Sequence, residues 1–278
     1  MPQVTVATWN LHHGVDHQPS SMVGTWGYLR DVIRPTVALV QESDGIPDTP
    51  GGHVKSRPVN EPAIRFETAV VGYECRVETL TEVVSRYSKP RRPISIGPSF
   101  PLTHVPATVR VGSESFVAVS LYGRIDTYAQ TSVLRAIADL IPLMDDPARR
   151  DRVIVGGDLN AFNNGPRVDH TSRERWRAIF ELFRSLGLVN LLEKRGEEAR
   201  RLGRAPLAGC NCREGDRCYH VETWRARREV PGTWCLDYLF VTKGLEERLL
   251  GPVEIWGETN PEVWDLSDHC PLVARFEL

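Results

Sequence analysis

The sequence predicts an α/β fold whose polar residues gather where strands end. Residues 153–155 form a β-branched run that stops at two glycines, as a buried strand does before a tight turn. Residues 4–9 and 37–42 have strand-like patterns and enclose a helical segment, which is the order of a strand–helix–strand unit. Together these features favour a layered arrangement of sheets and helices.

Composition is that of an ordinary globular protein. The 278 residues, 41% hydrophobic and 25% charged, suffice for one large domain or two small ones. With a net charge of −2, the protein has no overall electrostatic attraction to nucleic acid or to a membrane surface. The sequence shows no leader and no apolar run near the ~20 residues that span a bilayer, so we expect a cytoplasmic protein that does not bind a membrane. We also expect it to be a monomer. In that setting six cysteines indicate thiols or a metal site rather than disulfides.

The first segments of the chain place two polar residues together. Strand 4–9 runs into Asn10, and strand 37–42 ends in Glu42. Between them a helix is predicted, capped by Ser20 or Ser21; its apolar face contains Met22, Trp26, Leu29 and Ile33. A right-handed crossover then brings Asn10 and Glu42 to the same sheet edge. Residues 45–62 are rich in Pro and Gly and predict a loop.

The remaining segments continue the alternation. Residues 66–72 and 73–84 predict paired strands, and 108–111 with 116–122 predict two strands joined by a Gly-Ser turn. Helical faces follow at Val133, Ile137, Leu140 and Met144, and at Trp176, Ile179, Phe180 and Phe183. Residues 193–232 are rich in Arg, Glu and Gly and predict an insertion or long loop within a single domain of residues 1–278. Strands resume at 234–241 and 270–278.

The strand at 153–155 exits into two polar side chains. Asp158 and Asn160 are two residues apart and would point to the same side of an extended chain. Strand exits of layered α/β proteins often carry active sites. The alternative is an Asx-type turn in which both side chains only satisfy nearby backbone groups.

At five places in the chain, an apolar run is bounded by a polar residue that could carry chemistry. They are Asn10, Glu42, Asp158 with Asn160, Asp237, and Asp268 with His269. Each has a purely structural alternative, such as a helix cap or a satisfied buried histidine. As a set they fit one chemistry: oxygen ligands suit Mg²⁺ or Mn²⁺, and a histidine beside carboxylates can stabilise a phosphoryl group under attack.

The motifs around these residues resemble those of a known superfamily. Thr8-Trp-Asn10, Gln41-Glu42, Gly157-Asp-Leu-Asn160, Leu236-Asp-Tyr-Leu-Phe240 and Ser267-Asp-His-Cys-Pro271 occur in the order found in the endonuclease/exonuclease/phosphatase superfamily. The resemblance spans nearly the whole chain. It implies a DNase I-like, four-layer sandwich, with two packed and mainly antiparallel β-sheets flanked by helices. It also implies metal-dependent phosphoester hydrolysis.

The same resemblance implies a role for each residue. Glu42 is the principal Mg²⁺ or Mn²⁺ ligand, with Asn10 and Asp268 close to the metal and its phosphate. Asp158 orients or deprotonates the attacking water, and Asn160 holds the phosphate or the water. Asp237 pairs with His269, which contacts the scissile phosphate; a carboxylate partner also raises the basicity of an imidazole.

Two positions bear on the branch of the superfamily. Many members have a histidine at the end of the strand that matches 116–121, whereas this strand ends in Tyr122. AP endonucleases have a tyrosine there that hydrogen-bonds the phosphate, so Tyr122 is a catalytic candidate. The same branch has an Asp two residues after the first Asn, where this chain has His12, a poorer partner for Mg²⁺.

These features favour a metal-dependent phosphodiesterase, most simply a nuclease acting on nucleic acid. The alternatives are a phosphatase acting on small-molecule or lipid phosphates, and a catalytically inactive binding module. Residues 89–92 and 195–228 are basic, and they indicate either contact with a phosphate backbone or solvated loops.

A second cluster of chemistry-bearing residues lies outside the superfamily motifs. Cys210, Cys212, Cys218 and His220 could form a closed Cys₃His zinc site that orders a segment poor in apolar residues. The spacing is imperfect, because zinc knuckles usually begin with Cys-x-x-Cys, and Cys235 is a further candidate ligand. The alternative is a flexible loop with reduced thiols.

Overall fold

Two six-stranded β-sheets form the centre of the protein. The computed structural model describes residues 1–11, 19–56, 66–87, 92–125, 128–162, 164, 168–202, 210, 212, 218–225 and 234–278. The first sheet contains, in spatial order, β13 (Glu254–Ile255), β14 (Leu272–Glu277), β1 (Gln3–Asn10), β2 (Val37–Ser43), β4 (Glu67–Gly72) and β3 (His53–Ser56). The second contains β11 (Leu188–Asn190), β12 (Asp237–Thr242), β10 (Val153–Asp158), β9 (Glu114–Tyr122), β8 (His104–Val111) and β5 (Arg76–Thr79). A short ribbon of β6 (Glu82–Val83) and β7 (Ile94–Ser95) is separate from both sheets.

Both sheets are mixed but mainly antiparallel. The pairs β1–β2 and β9–β10 are parallel, and the other described pairs are antiparallel. The sheets face each other through β1, β2 and β4 on one side and β8, β9, β10 and β12 on the other. Strands β2, β4 and β10 consist almost wholly of buried residues because they lie between the facing sheet and other layers.

Helices flank the two sheets. They are α1 (Pro19–Tyr28), which continues into a π-helical turn at Leu29–Ile33, α2 (Ala129–Met144), α3 (His170–Ser185), α4 (Leu191–Arg201), α5 (Lys243–Glu246) and α6 (Trp256–Thr259), and a 3₁₀ turn at Pro261–Asp265. The predicted apolar face of α3 is buried, and Phe183 stacks on Phe240 of β12 with ring centroids 4.3 Å apart. The expected α/β sandwich is thereby confirmed. Among the described residues, none of the helices combines the length and apolarity needed to cross a membrane.

Three sequence-based assignments were wrong in part. The loop expected at 45–62 contains the edge strand β3. The segments 66–72 and 73–84 do not pair with each other, because β4 joins β2 and β3 whereas β5 joins β8 of the other sheet. Alternation identifies a strand but carries no information about its partner.

The third error concerns residues 193–201, expected in a long loop, which continue α4. Asn190 caps this helix through a 3.0 Å hydrogen bond from the Leu192 N–H, and only Leu191 and Leu192 are buried. The remaining residues of the helix are mostly charged and at least partly exposed. The sequence therefore lacks the apolar periodicity that would have predicted a helix here. The rest of the predicted insertion lies largely outside the described residues.

Candidate active site

Strand register brings three predicted site residues into one row of the second sheet. Tyr122 is the register partner of Asp158 in the parallel pair β9–β10, and Asp158 is the partner of Asp237 in the antiparallel pair β10–β12. Because β12 runs opposite to β10, its first residue lies beside the last residue of β10. Two strand ends and one strand start therefore meet at the same edge.

The first sheet supplies the opposite side of the site. Asn10 is paired with Gln41 in the parallel pair β1–β2, so Asn10 and Glu42 lie at one edge as predicted. Ser267 Oγ donates a 2.9 Å hydrogen bond to the Asn10 carbonyl oxygen and accepts one from the His269 N–H at 3.1 Å. This contact holds the loop with Asp268 and His269 against the end of β1.

The amide of Asn10 links the two sheets. Its Nδ2 donates to Glu42 Oε1 at 3.1 Å and to Asp158 Oδ2 at 2.9 Å. Tyr122 donates its phenolic hydrogen to the same Oε1 of Glu42 at 2.9 Å. Two donors thus fix Oε1, and among the residues that the structure describes no donor contacts Oε2.

Asp158 and Asn160 form both of the arrangements that the sequence left open. The Asn160 N–H donates to Asp158 Oδ1 at 2.7 Å, which is the Asx-turn contact. Asn160 Nδ2 also donates to Asp158 Oδ2 at 3.1 Å and to the Gly123 carbonyl at 2.9 Å. The Asx turn therefore places both side chains in the candidate site, so the turn and a functional role are compatible.

His269 lies between three carboxylates. Its Nδ1 is 2.8 Å from Asp237 Oδ2, which confirms the expected pair. Its Nε2 is 3.9 Å from Asp158 Oδ2 and 4.0 Å from Asp268 Oδ1, both beyond hydrogen-bond range. Within the described residues, Nε2 forms no hydrogen bond to either carboxylate, whereas Nδ1 is bonded to Asp237.

The pKa values of Asp158 and His269 are both raised, but by different causes. Burial raises the pKa of Asp158, and the negative charges of Asp237 and Glu42 add to the rise while His269 opposes it. Burial alone would lower the pKa of His269, but the charges of Asp237 and Asp158 outweigh it and the pKa is raised. The arrangement favours an imidazolium held by its carboxylate neighbours.

The backbone at the site is restricted to unusual conformations. Glu42 and Asn160 both have φ of 48°, in the left-handed region that costs non-glycine residues energy. Gly157 has φ of 157°, and a Cβ built there would lie 1.7 Å from the Leu121 carbonyl oxygen. Only glycine therefore fits against the Leu121 backbone of β9 immediately before Asp158.

Sequence analysis missed two residues that hold the site in place. Thr223 Oγ1 accepts hydrogen bonds from the N–H groups of Leu236 at 2.9 Å and Asp237 at 3.0 Å. Trp224 Nε1 donates to Asp268 Oδ2 at 2.9 Å. The only signal in the sequence is a tryptophan within a polar segment, which does not identify its partner.

All eight residues predicted for the active site lie within this network. They are Asn10, Glu42, Tyr122, Asp158, Asn160, Asp237, Asp268 and His269. His12, which replaces the Asp of the AP endonuclease branch, lies outside the described residues, as do most of 89–92 and several arginines of 195–228.

A cavity of about 440 Å³ opens beside Asn160. Aromatic rings form much of its wall, contributed by Tyr128, Phe162, Trp176 and Trp234. The Tyr128 ring is 79% exposed, and Phe162 packs edge-on against Trp234 with centroids 5.2 Å apart. The site thus borders a recess that fits a flat or apolar group.

The predicted cysteine cluster is also assembled. Ligand atoms of Cys210, Cys212, Cys218 and His220 all lie within 4.8 Å of one another. Cys235, the further candidate, is fully buried and is not part of this group.

Sequence comparisons gave one match to a known family. The sequence model of the Endonuclease/Exonuclease/phosphatase family matches residues 7–269. No curated protein sequence matches the chain at a significant level.

Solved structures with the same fold have low sequence identity to the chain. The endonuclease domain of TRAS1, a telomere-specific non-LTR retrotransposon, is 18% identical with a TM-score of 0.57, over 100% of this chain and 99% of that one. The 3′ phosphatase NExo from Neisseria, bound to a product DNA hairpin, is 15% identical with a TM-score of 0.54 over 99% and 100%. A truncated TDP2 from Caenorhabditis elegans is 14% identical with a TM-score of 0.57 over 99% and 98%.

Proposed function

This chain belongs to the endonuclease/exonuclease/phosphatase family, and we propose that it is a Mg²⁺- or Mn²⁺-dependent phosphodiesterase that hydrolyses nucleic acid. The observation that carries the proposal is the meeting of Glu42, Asp158 and His269 in one site: Asn10 donates to both carboxylates, and His269 Nε2 lies 3.9 Å from Asp158. A carboxylate, a buried base candidate and an imidazolium are groups that can together promote phosphoester hydrolysis.

The residues present fit a hard divalent cation. Glu42 is partly exposed and is held by two donors at Oε1, so its second oxygen faces an incoming ligand. Asp268 supplies a second carboxylate and Asn10 an amide, which is the oxygen donor set that Mg²⁺ and Mn²⁺ prefer. Four carboxylates with one imidazole also leave an excess of negative charge that a dication would neutralise.

Ligand atoms of Asp158, Asp237 and His269 also lie within 4.8 Å of one another. In this group His269 Nδ1 is already bonded to Asp237, and Asp158 accepts three hydrogen bonds. We propose Glu42, Asp268 and Asn10 as the metal ligands, as the resemblance of their motifs to the family implies. When bound, it would supply positive charge to the phosphate and lower the pKa of a bound water.

The remaining residues have separable tasks. Asp158 accepts the proton of the attacking water, because burial raises its pKa toward the range in which a carboxylate works as a base. Asn160 and Tyr122 orient the groups around it through the contacts described above. Asp237 favours the protonated form of His269, so that its Nε2 can donate to a phosphate oxygen.

The substrate class is supported by the neighbouring recess. Tyr128, Phe162 and Trp234 line the recess beside Asn160, and stacking of a base on an accessible aromatic ring, such as that of the exposed Tyr128, is worth roughly 1–3 kcal/mol. The Neisseria 3′ phosphatase of similar fold is bound to a product DNA hairpin. A TDP2 from D. rerio, 13% identical with a TM-score of 0.52, is complexed with a single-strand DNA product.

The experiment is an activity screen of the purified protein over abasic, single-stranded and double-stranded DNA, RNA and p-nitrophenyl phosphate. We expect cleavage of a nucleic acid with Mg²⁺ or Mn²⁺ and none with EDTA. Glu42→Ala should abolish the metal-dependent rate with little change in Tm. Glu74→Ala, at an exposed acid remote from the site, is the matched control and should behave as wild type.

Other outcomes separate the alternatives. Hydrolysis confined to the phosphomonoester would favour a phosphatase. Binding of nucleic acid without turnover under any metal would favour an inactive binding module. Full turnover by Glu42→Ala would end the metal assignment.

A further inference from the structure

We propose that Cys210, Cys212, Cys218 and His220 form a closed structural zinc site, distinct from the catalytic metal and independent of the proposed reaction. Their four potential ligand atoms lie within 4.8 Å of one another. None of the six cysteines, all of which lie in described residues, forms a disulfide. Four side chains from an eleven-residue stretch thus converge on one point.

The distances match those of a tetrahedral centre. His220 Nδ1 lies 3.5 Å from Cys210 Sγ and 3.6 Å from Cys218 Sγ. Zinc bonds of about 2.3 Å to sulfur and 2.0–2.1 Å to nitrogen at a tetrahedral angle put the two ligand atoms about 3.6 Å apart. Cys210 and Cys218 are therefore already spaced from His220 as a shared ion would require, and Cys212 Sγ lies within 4.8 Å of the other ligand atoms.

The ligand types select zinc over the ion of the catalytic site. Thiolates and imidazole prefer Zn²⁺, whereas Mg²⁺ and Mn²⁺ prefer oxygen. Four protein ligands leave no open position for water or substrate, which is the arrangement of structural sites. Cys218 and His220 are only 7% and 5% exposed, whereas Cys210 and Cys212 are partly exposed, so the cluster is buried on one side.

The packing around the cluster shows what it would order. His220 stacks on Tyr219 with ring centroids 4.6 Å apart. A Cβ at Gly196 of α4 would lie 2.8 Å from Tyr219 Cβ, so the helix backbone approaches this residue closely. The zinc site would thereby attach the chain at 218–220 to the end of the fold that carries α4.

The ordered segment leads directly to the active site. Three residues after His220, Thr223 Oγ1 accepts hydrogen bonds from the N–H groups of Leu236 and Asp237. The next residue, Trp224, donates a hydrogen bond to Asp268. The Cys270 N–H donates to the Thr223 carbonyl at 2.9 Å. Zinc therefore stabilises the segment that positions Asp237 and the loop of Asp268 and His269.

The experiment is elemental analysis of protein expressed with zinc in the medium and purified without a metal-affinity tag. We expect about one zinc per chain, retained after mild EDTA treatment that removes Mg²⁺. Cys218→Ser and Cys210→Ser should reduce the content to below a tenth of an equivalent and lower Tm by roughly 5 °C or more. Cys75→Ser removes a thiol outside the cluster and should keep both values.

A second measurement on the wild-type chain covers the case in which the variants do not fold. A mercurial thiol reagent should release one zinc, detected with a chromogenic chelator, as the cluster thiols are titrated. Cobalt-exchanged protein should show the visible absorption of tetrahedral thiolate coordination. Wild-type protein with less than a tenth of an equivalent of zinc, whether its thiols react freely or form a disulfide, would overturn the proposal.

Discussion

Tyr122 donates its phenolic hydrogen to Oε1 of Glu42 across 2.9 Å, although 80 residues separate them in the chain. The contact joins the last residue of β9 in one sheet to the end of β2 in the other. The resemblance to AP endonucleases implied a phosphate contact for Tyr122, whereas in this structure the phenol orients the proposed metal ligand. The two roles predict different kinetics.

Tyr122→Phe should therefore weaken the response to metal. Loss of a hydrogen bond to a carboxylate is worth roughly 1.5–3 kcal/mol, which corresponds to an increase of about 10- to 150-fold in the Mg²⁺ concentration for half-maximal rate. A titration of rate against Mg²⁺ at saturating substrate measures it. Tyr87→Phe, at a 70% exposed ring, is the control. An unchanged metal response with a raised substrate KM would instead indicate that Tyr122 contacts the substrate phosphate.

Asp158→Asn should remove the base while preserving the shape of the side chain. We expect kcat to fall at least ~10²-fold with KM nearly unchanged, since a positioned general base contributes that much or more. Steady-state kinetics on the best substrate provide the test, with Asp151→Asn at an exposed position as the reference. A large change in KM with kcat preserved would make Asp158 a positioning residue.

Glycine substitutions should separate a constrained position from a tolerant one. Gly157→Ala would place a methyl group against the Leu121 carbonyl in a disfavoured backbone conformation, and we expect a loss of more than about 3 kcal/mol in unfolding free energy. Gly27→Ala in α1 meets nothing within 4 Å and should gain roughly 0.5–1 kcal/mol. Urea unfolding compares the two variants, and similar midpoints would contradict the steric constraint inferred at Gly157.

His104 should make stability depend on pH. Burial lowers its pKa, while the Ile96 carbonyl and the charge of Asp139 oppose the shift. The unfolded chain, with an ordinary histidine pKa of about 6.5, then binds more protons than the folded chain, so the unfolding free energy falls as pH drops below that value. Urea unfolding from pH 5 to 8 should show a shallower pH dependence for His104→Gln than for wild type. The exposed His170→Gln should retain the wild-type slope.

Local patterns in the chain were sufficient for the fold class and for most candidate residues. Hydrophobic periodicity identified α2 and α3, and the β-branched run before two glycines identified β10. These signals are local because burial of one face imposes a period within a single element. The ordered motifs then named Asn10, Glu42, Asp158 and His269 before any contact between them was visible.

The contacts themselves, and the pairing of strands, depended on the tertiary structure. Asn10 reaches Asp158 across 148 residues, and β4 and β5, adjacent in the chain, join different sheets. Thr223 and Trp224 have no motif, because a hydroxyl or an indole acquires its role from the backbone brought beside it. Periodicity records which face of an element is buried but not what it is buried against, and hydrogen-bond partners far apart in sequence are set by the packing of the two sheets.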